Sequence, residues 1–173
     1  MKLGLLTATM VLIATSAMAQ HASHSSSNSE TGQSQFAAIA EIVAMLRADP
    51  DTDWEQIDIG ALRDHLVDMD NVTTKAIVET NANDLTVTFA VTGDATVAAS
   101  IQRMVLAHHP MLQQTTSWSV MAEERSDGAM MQVQLKSMDE MNEVIALGFF
   151  GLMTIGAHHQ QHHLMIAMGH SPH

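Results

Sequence analysis

The stretch AIVETNANDLTVTFAVTG, residues 76–93, decides the fold because its second half places apolar residues at every second position. Alternation of this kind is typical of a strand with one buried face, whereas a helix repeats its apolar residues every three or four positions. The tetrapeptide Asn81-Ala82-Asn83-Asp84 interrupts the pattern and is rich in residues that favour turns. We therefore predict a β-hairpin with strands near residues 75–80 and 85–91.

The same pattern returns in SWSVMAEERSDGAMMQVQL, residues 117–135, with Ser126-Asp127-Gly128 at the turn. Each hairpin precedes a helical segment, and an offset of 44 residues aligns the apolar positions Val87, Phe89 and Val91 with Met131, Val133 and Leu135. We predict an α+β fold: two tandem ββα units form a four-stranded antiparallel sheet with helices packed on one face. Chance similarity between two alternating strands is the alternative explanation of the repeat.

Two further helices are predicted before the sheet, in residues 34–50 and in residues 59–71, where Asp58 is the N-cap. After the first hairpin, Asp94 caps the helix ATVAASIQRMVLAHH, which we expect to end near His109 because Pro110 follows. These elements and the two hairpins account for the segment between residues 34 and about 137.

A long His-rich C-terminal helix is predicted from Asp139 to Met168. A straight helix of this length would span about 45 Å, which exceeds the roughly 30–40 Å width of a compact domain of this size. We therefore expect it to bend at Gly156 or to protrude. Its apolar part, residues 144–157, is too short for a membrane span and is interpreted as a buried core helix, with a homodimer interface as the alternative.

Residues 1–19 have the pattern of a cleaved signal peptide, with Lys2, an apolar segment and Ala17-Met18-Ala19 as the cleavage site. Residues 20–33 are polar and of low complexity, which predicts a disordered leader, and residues 34–173 are expected to form a single α+β domain. Cleavage would leave about 154 residues in the mature chain. This organisation indicates export, most simply to a bacterial periplasm.

The composition narrows the ligand classes. A net charge of −12 argues against nucleic acids and anionic membrane surfaces as partners, since both require a basic patch. The chain has no cysteine, so any soft ligand for a metal must be methionine, of which the mature chain keeps 12 of 15. This acidic, His- and Met-rich composition is similar to that of periplasmic copper-handling proteins in general, without a shared motif.

The segment GAHHQQHH, residues 156–163, is the main candidate for chemistry. On a helix, His158 and His162 lie one turn apart, as do His159 and His163, and this spacing brings two imidazoles within reach of one ion. Met165 extends the same stripe. A polar, solvated helix end is the alternative interpretation.

Two other segments carry histidine at helical spacing. His65 and Met69 form an i, i+4 pair, and His108 and His109 end the helix of residues 95–109, between Met104 and Met111. We predict that His65, His108, His158 and His162 converge in space. The full candidate metal set is His65, Met69, His108, His109, His158, His159, His162, His163 and Met165.

These residues predict a metal-binding protein of metal homeostasis that sequesters or transfers ions. The expected metal is copper, with zinc and nickel as alternatives. The chain has no H-E-x-x-H, G-x-S-x-G or Walker motif, and we expect it not to be an enzyme. Two other functions remain open: an interaction module that dimerises through its apolar C-terminal helix, and b-type haem binding through a His pair.

Overall fold

The computed structural model describes residues 33–156 and 159–170 of the 173-residue chain. The elements, in chain order, are α1 (Gln33–Ala48), α2 (Ile59–Lys75), β1 (Ile77–Asn83), β2 (Thr86–Thr92), α3 (Ala95–Thr115), β3 (Ser119–Arg125), β4 (Gly128–Gln134), α4 (Met138–Leu152) and α5 (His159–Ala167). The predicted signal peptide, the predicted leader before residue 33 and His158 lie outside the described residues. None of the described helices combines the length and apolarity needed to cross a bilayer.

The four strands form one antiparallel sheet in the order β1-β2-β4-β3, which confirms the predicted α+β class. Each hairpin is followed by a helix, so the chain runs β1-β2-α3 and then β3-β4-α4. The inner strands of the two hairpins, β2 and β4, pair at the centre of the sheet, with Phe89 opposite Met131. The hairpins therefore lie side by side, each with its first strand at an edge.

Both hairpins turn through two residues, Asp84-Leu85 in the first and Ser126-Asp127 in the second. The first turn lies later than predicted, and Asp84 adopts the left-handed conformation there with φ 52°. Asn83 and Arg125, the last residues before the two turns, are 42 positions apart, two fewer than the offset of 44 that the sequence predicted. Side chains alternate between the two faces of a strand, so an error of two residues in the offset leaves the same residues on the buried face.

The buried face of the sheet follows from the alternation in β2 and β4. Val87, Phe89 and Val91 are fully buried, and their neighbours in sequence are only half-buried. Helices α3 and α4 contact this sheet, and their apolar side chains complete the main core. Asp94 caps α3 as predicted, since its carboxylate accepts hydrogen bonds from the first turn of the helix.

A second, smaller core lies between α1, α2 and α5, away from the sheet. It contains the buried side chains of Ile42, Leu46, Leu62, Leu66 and Ala167. Burial of these groups holds the His-bearing helix α5 against α2, because apolar area removed from water stabilises by about 25 cal/mol per Å². This core thereby positions the histidines of α5 near His65.

The helix α3 does not end at His109 as predicted; it continues to Thr115 with Pro110 inside. Proline has no amide hydrogen, so the carbonyl of Leu106 loses the donor that it would have four residues later. The His109 ring occupies this place, with Nδ1 2.9 Å from the Leu106 oxygen. A side chain thus replaces the missing backbone donor, and the helix persists.

Replacing His109 with alanine is expected to lower the free energy of unfolding by about 1 kcal/mol, since it leaves the Leu106 carbonyl without this donor. The loss should shrink in a Pro110→Ala background, where the amide of residue 110 is restored. Urea unfolding of the single and double variants measures both values. An equal cost in the two backgrounds would mean that His109 does not substitute for the proline amide.

The C-terminal helix breaks rather than protrudes. Helix α4 is kinked at Gly148, whose φ of 59° and ψ of −178° are not helical, and this break was not predicted. Helix α4 ends at Leu152 and α5 begins at His159, so the predicted bend lies between them. Gly156 is in a left-handed conformation with φ 76°, and a Cβ there would lie 2.6 Å from the Thr115 hydroxyl oxygen. Glycine is needed at this position both for the turn and for its close approach to the end of α3.

Candidate metal site

A cavity of about 50 Å³ lies where α2, α3, α5 and the residue after α4 meet. This volume is several times the roughly 10–15 Å³ that a single water needs. Eight of the nine lining residues carry an imidazole or a thioether. The lining residues are His65, Met69, Met104, Ala107, His108, Met111, Met153, His159 and His162.

Helical spacing explains how single elements supply several ligand groups. On α3, Met104, His108 and Met111 follow at intervals of four and three residues and therefore share a face. His65 and Met69 repeat this spacing on α2. The three helices each present such a face to the same cavity, which brings together residues far apart in sequence.

The imidazoles of α2 and α5 are in contact. The ring centroids of His65 and His162 are 4.8 Å apart, and those of His65 and His163 are 5.5 Å apart. His159 and His163, one helical turn apart, have their centroids separated by 6.1 Å. His65 and His162, two of the four histidines predicted to converge, are therefore in contact.

His108 is buried at the wall of the cavity, with Nε2 3.1 Å from the carbonyl oxygen of Leu152. A carbonyl can only accept, so the ring donates from Nε2, and in the neutral tautomer the lone pair is on Nδ1. Metal-binding histidines characteristically donate one ring N–H to a carbonyl or carboxylate, which fixes the tautomer and orients the other nitrogen. His108 has the hydrogen bond that this role requires.

His163 lies beside the cavity, on the side of the smaller core. It is 7% exposed, and within the described part of the chain its Nε2 is a buried atom with no hydrogen-bond partner. Burial lowers the pKa of His163, and the nearby His159 acts in the same direction, while the Glu41 carboxylate opposes both. A buried polar atom without a partner costs about 1–3 kcal/mol, and in native proteins such atoms need a functional or structural reason.

An open groove between α2 and α3 adjoins the cavity and shares His65, Met104 and Ala107 with it. Here Asp68 accepts hydrogen bonds from Arg103, at 2.6 and 2.7 Å, and from the Ser100 hydroxyl, at 2.8 Å. Burial raises the pKa of Asp68, but these hydrogen bonds outweigh burial and hold the pKa below its ordinary value. The ion pair ties α2 to α3 next to the cavity.

Five of the nine predicted ligands line the cavity, and three of the described ones do not. His109 bonds to the Leu106 carbonyl instead, and Met165 is half-buried elsewhere on α5. His163 adjoins the cavity without lining it, and His158 is outside the described residues. The five that line it are His65, Met69, His108, His159 and His162.

Three methionines of the lining, Met104, Met111 and Met153, are absent from the predicted set. The first two share a helical face with His108, a signal that is present in the sequence. Met153 could not be found in this way, because it reaches the cavity only through the break that follows α4.

Over residues 33–156 and 159–170, no three His, Asp or Glu side chains form a group arranged to hold a metal ion. The side chains in the described lining of the cavity that could hold a cation are imidazoles and thioethers. No protein-family model, curated protein or solved structure matches this chain.

Proposed function

We propose that this protein binds copper ions in the cavity and sequesters or transfers them without catalysing a reaction. The observation that carries the proposal is the lining itself: four imidazoles and four thioethers from separate segments, with one alanine. Imidazole suits copper, zinc, nickel and iron, and thioether sulfur favours copper in this group. A core filled by methionine for packing alone would not bring four histidines to the same wall.

The groups around the cavity support a binding role over a catalytic one. Among the described residues, no carboxylate lines it, so none of their acidic side chains is placed to act as a general base on a metal-bound water. The lining is largely apolar apart from the imidazoles, which favours retention of an ion over turnover of a polar substrate. Export to the periplasm, as the N-terminal sequence predicts, is part of the proposal.

One observation favours the second candidate function, dimerisation through the apolar C-terminal segment. Ile145, Leu147 and Phe150 of α4 are between 41% and 47% exposed, so this helix buries one side only. A stable dimer of the metal-free protein, with no response to copper, would support this alternative. The cavity gives no comparable support to haem binding, because about 50 Å³ is far below the roughly 300–1,000 Å³ of pockets for molecules of that size.

Copper titration of the purified protein against a competing chelator tests the proposal. The His65→Ala/His162→Ala variant is expected to bind copper at least about 100-fold more weakly, a loss of about 2.7 kcal/mol, because it removes the imidazoles that α2 and α5 bring into contact. His170→Ala is the matched control, since His170 is exposed and does not line the cavity. It should bind copper as the unaltered protein does.

Circular dichroism of the three proteins establishes that the substitutions leave the fold intact. An unchanged copper affinity in the folded double variant would place the binding site elsewhere and contradict the proposal. Equal losses in the double variant and in the His170 control would also contradict it, because they would indicate unspecific binding to surface histidines.

A further inference from the structure

We infer that the cavity selects the monovalent ion Cu(I) over Cu(II) and Zn²⁺, an inference that rests on the proposed function. The two ions of copper differ in the ligands that they prefer and in the charge that must be buried. The ligand atoms and the charge of the residues around the cavity both favour the monovalent ion.

The first argument concerns the ligand atoms. Met104 and Met111 flank His108 on α3, Met69 accompanies His65 on α2, and Met153 follows α4. Thioether sulfur is a neutral, soft ligand that selects Cu(I), whereas Cu(II) favours nitrogen and oxygen in a tetragonal arrangement. Among the described residues, the lining has as many thioethers as imidazoles and no carboxylate oxygen, so it matches the softer ion.

The second argument concerns charge. Every lining side chain is neutral when the imidazoles are unprotonated, so the cavity offers no negative charge to a bound cation. The cost of transferring an ion from water into a low-dielectric site rises with the square of its charge, so a divalent ion meets about four times the penalty of a monovalent one. This difference disfavours Cu(II) and Zn²⁺ in the same volume.

The neighbouring carboxylate does not remove this penalty. Asp68 lines the groove that adjoins the cavity, and its carboxylate is already paired with the Arg103 guanidinium at 2.6 Å. Its charge is largely neutralised by the guanidinium. Among the described residues, a divalent ion would therefore find no carboxylate ligand in the lining of the cavity, and the carboxylate of Asp68 beside it is already paired.

The test uses Ag(I), a soft monovalent ion that has no accessible redox change, together with Cu(I) under reducing conditions, Cu(II) and Zn²⁺. The unaltered protein is expected to bind Ag(I) and Cu(I) at least about 100-fold more tightly than Zn²⁺. Substituting Met104→Leu and Met111→Leu together conserves volume and removes two sulfurs. It should weaken Ag(I) binding at least about 10-fold and leave Zn²⁺ binding unchanged.

Met121→Leu is the matched control, because Met121 is 60% exposed on the edge strand β3 and does not line the cavity. Ag(I) affinity that survives the double leucine substitution would overturn the inference, as would Zn²⁺ or Cu(II) binding as tightly as Ag(I). If Zn²⁺ or Cu(II) binds as tightly as Ag(I), the proposed copper function still stands provided that binding depends on His65 and His162. Absence of binding by all four ions would instead contradict the proposed function itself.

Discussion

Copper at about 1,000 times its dissociation constant is expected to raise the free energy of unfolding by about 4 kcal/mol. The cavity draws its ligand groups from α2, α3, α5 and Met153, and these segments come together only in the folded chain. An unfolded chain retains single histidines and methionines but not their convergence. A bound ion would therefore link α5 directly to α2 and α3, and it would add to the smaller core, which already packs α5 against α2.

Urea unfolding followed by circular dichroism, with and without Cu(I) or Ag(I), measures this gain. The His65→Ala/His162→Ala variant is the control, and copper should leave its unfolding free energy nearly unchanged. An equal gain in both proteins would show that the stabilising ion is bound outside the cavity. A loss of stability on adding the ion would show tighter binding to the unfolded chain than to the native one.

The sheet could be predicted because the alternation of buried and exposed residues can be recognised within each strand's own sequence. Burial on one face imposes alternation on β2 and β4, and an even error in the repeat offset leaves the inward residues unchanged, as at Val87 and Phe89. The end of α3 could not be predicted in the same way. The rule that proline ends a helix rests on the steric restriction of the preceding residue and on the missing amide hydrogen, and it does not anticipate that the His109 ring supplies the donor.

The site was predictable to the extent that helical spacing determines it. Pairs such as His65 and Met69 share a face whatever the tertiary structure, so each helix could be assigned its ligand face from sequence. The smaller core and the break near Gly156 determine which helix faces meet. Neither feature has a sequence pattern from which the direction of α5 could be predicted. The contribution of Met153 and the position of His163 beside the cavity follow from those two features.

The largest loss of stability is expected on substitution of Gly128, the first residue of β4. Its φ of 151° is disfavoured for residues with a side chain, and a Cβ at this position would overlap the carbonyl oxygen of Val91 on β2. The overlapped atom belongs to the backbone, so a rotamer change cannot relieve the clash. The central pair β2-β4 would have to separate locally, at the strand junction that joins the two hairpins.

We expect Gly128→Ala to lower the free energy of unfolding by about 4 kcal/mol, the combined effect of backbone strain and overpacking. Gly148→Ala is the matched control. Gly148 also has a positive φ, 59°, but a Cβ there would meet no atom within 4 Å, so only the strain of about 1–3 kcal/mol applies. Urea unfolding of both variants separates the two contributions. Equal losses in the two variants would mean that the close approach of Gly128 to Val91 does not exclude a side chain at residue 128.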